Sequence, residues 1–151
     1  VQRATLPKFA VVSTGALLVF AVPTLLTGNT TYFKFGETVL NAVFAALLLL
    51  SLVRTTTVLE YFFGRIFALP NKAWRILTWR WGILLLIIAI LNEVVRALYS
   101  DEVWAIFNLV AAVVIVLFGL WQFRLSARMR IQEESNWLGL RTMYKNDGVL
   151  Q

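Results

Sequence analysis

The chain has 151 residues, of which 60% are hydrophobic, and its net charge of +6 comes from 14 Lys and Arg against 8 Asp and Glu. A soluble domain of this size could not bury so much apolar surface, and the mean hydropathy is +0.76. The absence of Cys and His excludes disulfides, thiolate nucleophiles, imidazole bases and ordinary zinc sites. We therefore expect that the protein is not an enzyme and binds no cofactor. We attribute its positive charge to membrane topology rather than to nucleic-acid binding.

Four apolar runs, separated by short polar segments, predict four transmembrane helices. They cover about residues 9–26, 38–53, 79–99 and 103–123. At ~1.5 Å per helical residue, runs of about 16 to 21 residues suit a hydrocarbon core ~30 Å thick. Transmembrane β-strands would instead show alternating segments of ~10 residues. The predicted fold class is an all-α membrane protein, with the helical bundle in residues 1–124.

The residues before the first run are polar and basic, with Gln2, Arg3 and Lys8. They lack the layout of a signal peptide, because no small-residue cleavage site with a mature domain behind it follows the first run. We expect this start to be a loop between helices, so that further helices precede Val1.

A short aromatic segment, VLEYFFGRIFAL at residues 58–69, lies between the second and third runs and is too short to span. Glu60, Gly64 and Arg65 break its apolar character. Two interpretations stay open, an amphipathic helix in the cytoplasmic interface or an ordinary connector packed on the bundle. Pro70 is predicted to end the segment, and Asn71 is a plausible N-cap of the third helix.

Five polar residues lie inside or at the outer ends of the apolar runs, where polar groups are costly: Asn41, Asn92, Glu93, Arg96 and Asn108. Glu93 and Arg96 are three residues apart and can pair on one helix face. Asn108 can reach Asn92 or Glu93, because polar side chains hydrogen-bond between packed spans. The favoured interpretation is a polar clasp between the third and fourth helices. The alternative is a substrate or proton site in which Glu93 titrates.

The carboxyl-terminal segment, residues 125–151, is predicted to be a basic cytoplasmic tail. Its first part should extend the fourth helix beyond the membrane, and the rest should lie on the membrane surface or dock on a partner. The candidate contacts with lipid head groups or a partner are Arg124, Arg128, Arg130 and Trp137.

The distribution of basic residues predicts the orientation. With four helices and a cytoplasmic amino terminus, every Lys and Arg except Lys34 and Arg96 falls on the cytoplasmic side. This asymmetry follows the positive-inside rule and places both ends of the chain in the cytoplasm.

The stretch GRIFALPNKAWRILTWRWGILLLIIAILNEVVRALYSDEVW, from Gly64 to Trp104, resembles the intracellular septation protein A family of bacterial inner-membrane proteins. The family pattern has a Gly, a Leu-Pro, a Trp, and a span with a Trp near its start and an Asn-Glu pair near its end. The matching positions are Gly64, Leu69, Pro70, Trp74, Trp81, Asn92 and Glu93. Family members usually have two more spans before the equivalent of Val1. The last span, with Asn108 in place of a Lys and no Pro, and the tail after Arg130 depart from the family and suggest a specialised relative.

The resemblance implies a role in cell-envelope integrity and septation at the bacterial inner membrane. The implied partners are membrane lipids and other integral membrane proteins, namely those of division and wall synthesis. Two other hypotheses stay open. The first is an accessory subunit of a larger energy-transducing membrane complex, which the divergent last span and tail favour. The second is a small transporter whose site would be formed around Glu93.

Overall fold

The computed structural model describes residues 30–140 and the isolated positions Thr14, Gly15, Leu18, Val22, Leu25 and Leu26. Within residues 30–140 the elements are α1 (Thr30–Ser51), α2 (Val58–Phe63), α3 (Asn71–Leu98), α4 (Asp101–Met129) and a 3-10 turn (Gln132–Glu134). This part of the chain contains no β-strand; Phe67 and Leu140 form an isolated antiparallel bridge. Most of the first apolar run, and the tail after residue 140, lie outside the described residues.

Three of these helices are long and apolar enough to cross a membrane: Lys34–Ser51 within α1, and the whole of α3 and α4. The prediction of an all-helical membrane protein is confirmed to this extent. The predicted first span, residues 9–26, lies largely outside the described residues, so a bundle of four remains a prediction.

The lengths of α3 and α4 explain why polar residues lie at their ends. α3 has 28 residues, which corresponds to ~42 Å and exceeds the ~30 Å hydrocarbon core. Asp101 and Glu102 lie in the first turn of α4, and Arg96 and Arg128 lie in the last turns of α3 and α4. These charges complement the partial charges of the helix ends.

The chain divides into two compact units. Of the described residues, those up to 47 and those from 81 to 111 form the first unit, and residues 48–80 and 112–140 form the second. The second unit has a small core in which Leu69, Ala73, Trp74 and Leu77 are buried. Partly buried apolar residues surround this core: Leu59, Phe63, Phe67, Leu125 and Met129.

The segment after α1 is less helical than the sequence suggests. The helix predicted over residues 58–69 ends at Phe63, whose carbonyl accepts from the backbone N–H groups of Ile66 and Phe67. Beyond this turn, Ala68 donates to Gly139 O (3.0 Å) and accepts from Ile131 N (2.9 Å). The prediction of a helix through residue 69 was wrong because the chain pairs here with a distant segment. Location in the membrane interface stays a prediction.

The predicted tail boundary at residue 125 falls inside α4, which continues to Met129. Residues 131–140 then fold back within the second unit. Asn136 shapes this return, since its Oδ1 accepts from the backbone N–H groups of Leu138 and Leu140. Gly139 has φ +84°, and a Cβ there would lie 3.0 Å from Ser126 O, so both conformation and space favour glycine.

Candidate functional site

Asn92 is the centre of a polar network in the first unit. Its side chain is buried, with 1% exposed, although it lies in the apolar part of α3. Nδ2 donates to Thr38 Oγ1 at 2.8 Å and to Lys34 O at 3.4 Å. Oδ1 accepts from Trp104 Nε1 at 3.0 Å and from Asn108 Nδ2 at 3.4 Å. An Asn amide offers two donors and two acceptor sites, so Asn92 uses its full hydrogen-bonding capacity on α1 and α4.

Glu93 and Arg96 form a bidentate ion pair beside Asn92. Arg96 Nε lies 3.0 Å from Glu93 Oε2, and Arg96 Nη2 donates to Glu93 Oε1. Thr38 connects this pair to the amide, because its hydroxyl accepts from Asn92 and donates to Glu93 Oε2 at 3.3 Å. The Glu93 side chain is 40% exposed, so the pair lies at the margin of the packed helices.

A second ion pair joins α1 to the start of α4. Lys34 Nζ lies 2.5 Å from Asp101 Oδ1 and 5.2 Å from the centroid of the Trp104 ring. The Lys34 side chain is largely buried, so its charge is held by the carboxylate and by the face of the indole. The network therefore links all three described long helices within the first unit.

Asn41 takes a different partner. Its Nδ2 donates to Glu37 O, one turn earlier in the same helix, at 3.0 Å. Within the described residues no hydrogen bond joins Asn41 to Asn92, Glu93, Arg96 or Asn108. Near Asn41, Glu37 Oε2 is buried and has no hydrogen-bond partner in the described part of the chain.

The motif predicted to lie at the membrane interface, formed by Gly64, Leu69, Pro70 and Trp74, belongs to the packing of the second unit. Leu69 and Trp74 are buried in its core, and Pro70 O accepts from the backbone N–H groups of Ala73 and Trp74 in the first turn of α3. A Cβ on Gly64 would lie 2.5 Å from Glu60 O, so this position is tight. These residues place the start of α3 and show no ligand chemistry of their own.

The four residues predicted to contact lipid or a partner, Arg124, Arg128, Arg130 and Trp137, have different surroundings. Arg130, the residue after α4, donates through Nη1 to Ala127 O in the last turn of that helix, and Trp137 is 72% exposed. Arg124 and Arg128 face an open pocket of about 150 Å³ whose lining residues are Arg80, Trp121, Arg124, Leu125 and Arg128.

Sequence reasoning missed several residues of the polar network, namely Lys34, Thr38, Asp101 and Trp104. It also missed Arg80 of the pocket and Gln122, whose Oε1 accepts from Arg80 Nη1. A signal existed for some of them. Lys34 and Thr38 are four residues apart in α1, and Trp104 and Asn108 are four apart in α4, so each pair shares a helix face. In the described residues no group of three or more His, Cys, Asp or Glu could hold a metal ion.

Comparison with known proteins agrees with the resemblance noted in the sequence. The family model for intracellular septation protein A matches residues 1–133. The chain is 35% identical over 136 residues to the inner membrane-spanning protein YciB of Rhizobium meliloti (strain 1021), covering 89% of this chain and 65% of that protein. It is also 35% identical over 132 residues to the protein of that name from Sinorhizobium medicae (strain WSM419), covering 87% and 63%.

A third relative, the inner membrane-spanning protein YciB of Brucella suis biovar 1 (strain 1330), is 35% identical over 133 residues, covering 87% of this chain and 66% of its own length. The chain thus spans less than two thirds of each of these relatives. No solved structure matches the chain.

Proposed function

The chain belongs to the intracellular septation protein A family, and from this membership we propose that it is a non-enzymatic scaffold of the bacterial inner membrane that supports cell-envelope maintenance and septation. The relatives are named inner membrane-spanning proteins, and three described helices are apolar enough to cross a membrane. The proposed partners are other integral membrane proteins, those of division and wall synthesis.

The observation that carries this proposal is the hydrogen bonding of Asn92, whose side-chain amide uses both donors and both acceptor sites within the protein. A transport or catalytic site must keep polar groups available for a substrate, whereas all four hydrogen-bonding positions of this amide are used by the chain itself. Glu93 is likewise paired with Arg96 and bonded to Thr38. The intramembrane polar groups therefore support a structural role, since buried polar groups in lipid are stabilised by partners of this kind.

The exposed surface of α4 also supports the proposed scaffold function. One face of this helix carries large apolar side chains that are exposed along most of its length: Ile106, Leu109, Val113, Val116, Leu117 and Leu120. Such a face suits lipid or the apolar side of another membrane helix. A protein that acts by contact with neighbouring spans needs a surface of this kind and no catalytic group.

Site-specific cross-linking of the full chain in the cells that produce it tests the proposal. A photoreactive amino acid at Leu117, on the exposed face of α4, should capture proteins of division or wall synthesis. The matched control is Ile115, which lies on the partly buried face of the same helix and should give no partner adduct. Capture of a fixed set of subunits from one energy-transducing complex would instead support the accessory-subunit hypothesis, and adducts with lipid alone would contradict both.

A further inference from the structure

The second unit has a pocket whose lining is rich in arginine. It is open, has a volume of about 150 Å³, and its lining includes Arg80 of α3 together with Trp121, Arg124, Leu125 and Arg128 of α4. Arg80 is the second residue of the run predicted over residues 79–99 in α3, and Arg124 immediately follows the run predicted over residues 103–123 in α4. The pocket therefore lies where the apolar parts of two helices give way to polar residues.

One of the three arginines is held in place before any ligand binds. Arg80 Nη1 donates to Gln122 Oε1 at 3.1 Å, and the guanidinium carbon lies 4.7 Å from the centroid of the Trp121 ring. Gln122 is buried, with 5% exposed, and so is a fixed anchor for Arg80. A guanidinium held by a hydrogen bond and a cation–π contact loses less conformational entropy when it binds an anion.

Within the part of the chain that the structure describes, no carboxylate forms an ion pair with the arginines of the pocket. The ion pairs of the described chain, Lys34 with Asp101 and Arg96 with Glu93, both belong to the first unit. No described carboxylate lies within ion-pair distance of Arg80, Arg124 or Arg128. Three guanidinium groups around one small pocket repel one another, and an anion bound among them relieves this repulsion.

The geometry points to the phosphodiester of an anionic phospholipid as the ligand of this pocket. Arginine binds phosphate oxygens through paired N–H donors, and basic pockets at the water-facing ends of spans suit charged head groups. The apolar surroundings favour a lipid over free phosphate, because Trp121 is half-exposed and the exposed Leu117 and Leu120 lie toward the apolar run, where acyl chains can pack. This inference stands independently of the scaffold function.

Native mass spectrometry of the full chain in mild detergent tests the assignment, with phosphatidylglycerol as the probe. The test variant is Arg124→Gln combined with Arg128→Gln, whose side chains are exposed. Lys72→Gln combined with Arg75→Gln is the matched control, because both residues are exposed in the same unit and the change in charge is identical. We expect about tenfold weaker phosphatidylglycerol binding in the test variant and less than about a twofold change in the control.

Three further measurements complete the test. Circular dichroism should show the same helix content in all proteins, so that loss of binding reports the pocket. Phosphatidylethanolamine, which has no net charge, should bind the wild-type chain more weakly than phosphatidylglycerol, and millimolar inorganic phosphate should not displace the lipid. Displacement by phosphate would overturn the assignment to a lipid, as would equal lipid binding by the test variant and the wild type. Release of a co-purifying acidic protein with lipid binding unchanged would assign the pocket to a protein partner instead.

Discussion

Asn92 shows that a polar side chain in the hydrocarbon core needs hydrogen-bond partners from the protein itself. In lipid an unpaired amide has no water to bond to, so it must find partners in the protein or destabilise the fold. Asn92 has four: Thr38 and Lys34 of α1, and Trp104 and Asn108 of α4. One side chain thus connects three helices, and its removal should loosen all of these contacts together.

We expect Asn92→Ala to lower the free energy of unfolding by about 2 kcal/mol, because it removes several interhelical hydrogen bonds and leaves Thr38, Trp104 and Asn108 without this partner. Reversible unfolding in mixed detergent micelles measures the change. Asn41→Ala is the matched control, since among the described residues the side chain of Asn41 bonds to the backbone of its own helix, and it should cost less than about 0.5 kcal/mol. Equal losses in the two variants would contradict the special role of Asn92.

The sequence predicted part of this network and missed the rest for a physical reason. Glu93 and Arg96 were predictable as a pair because both are charged and lie three apart on one helix. Thr38 was not, because a hydroxyl is tolerated in lipid by bonding to its own helix, so its presence signals no partner. Trp104 was missed because an aromatic ring is common at a membrane boundary and signals no partner, whereas its indole N–H bonds to Asn92.

Among the helices, α4 has one packed face and one exposed face although it is not amphipathic. Apolar residues surround the helix, so hydrophobic periodicity cannot show which face packs. The packed face is instead marked by polar and small residues at spacings of three, four and eight, which keep them on one side of the helix: Asn108, Ala111, Gly119, Gln122 and Ser126. This is the pattern expected where helices associate by close packing and hydrogen bonds rather than by hydrophobic burial.

Two adjacent alanines in α4 test this assignment of faces. Ala111 is buried, with 8% exposed, and Ala112 is exposed. Ala111→Leu should lower the free energy of unfolding by about 1–3 kcal/mol, because the added methylenes overpack the contact. Ala112→Leu adds the same atoms toward lipid and should change it by less than about 0.5 kcal/mol. The same micelle unfolding assay compares the two, and a reversed order would contradict the packing of α4.

The elements that the sequence predicted well are those whose signal is local. The long apolar runs indicated α3, α4 and most of α1, because length and hydropathy alone decide whether a helix can span. In segment 58–69 the sequence predicted helix to residue 69, whereas α2 ends at Phe63. The helix ends early because Ala68 pairs with Ile131 and Gly139. Pairing between segments more than sixty residues apart leaves no periodic signal in either one.

For the molecule as a whole, charge distribution is the feature that predicts orientation. Most described basic residues belong to the second unit, while Lys34 and Arg96 are the described basic residues of the first. The positive-inside rule then predicts that the short connection between α3 and α4 faces the periplasm and that the start of α3 faces the cytoplasm.

Single cysteines can test this orientation cleanly, because the chain has none of its own. Ser100 and Lys72 are both exposed, one between α3 and α4 and the other in the first turn of α3. In cells with a permeabilised outer membrane, a membrane-impermeant maleimide should label Ser100→Cys at once. Lys72→Cys should react only after the inner membrane is opened. The opposite pattern would show that the orientation is reversed.

We propose that the intramembrane polar residues hold the helices together and that the protein acts through its neighbours. The most direct measurement is the division and envelope phenotype of cells whose chromosomal copy carries Glu93→Gln, with protein level and detergent stability determined in parallel. Because the Glu93–Arg96 pair is partly exposed, its loss should cost under about 1 kcal/mol, and we predict normal septation at the wild-type protein level. Defective septation in cells containing normal amounts of a stably folded Glu93→Gln protein would contradict the claim and assign a functional role to the Glu93 carboxylate.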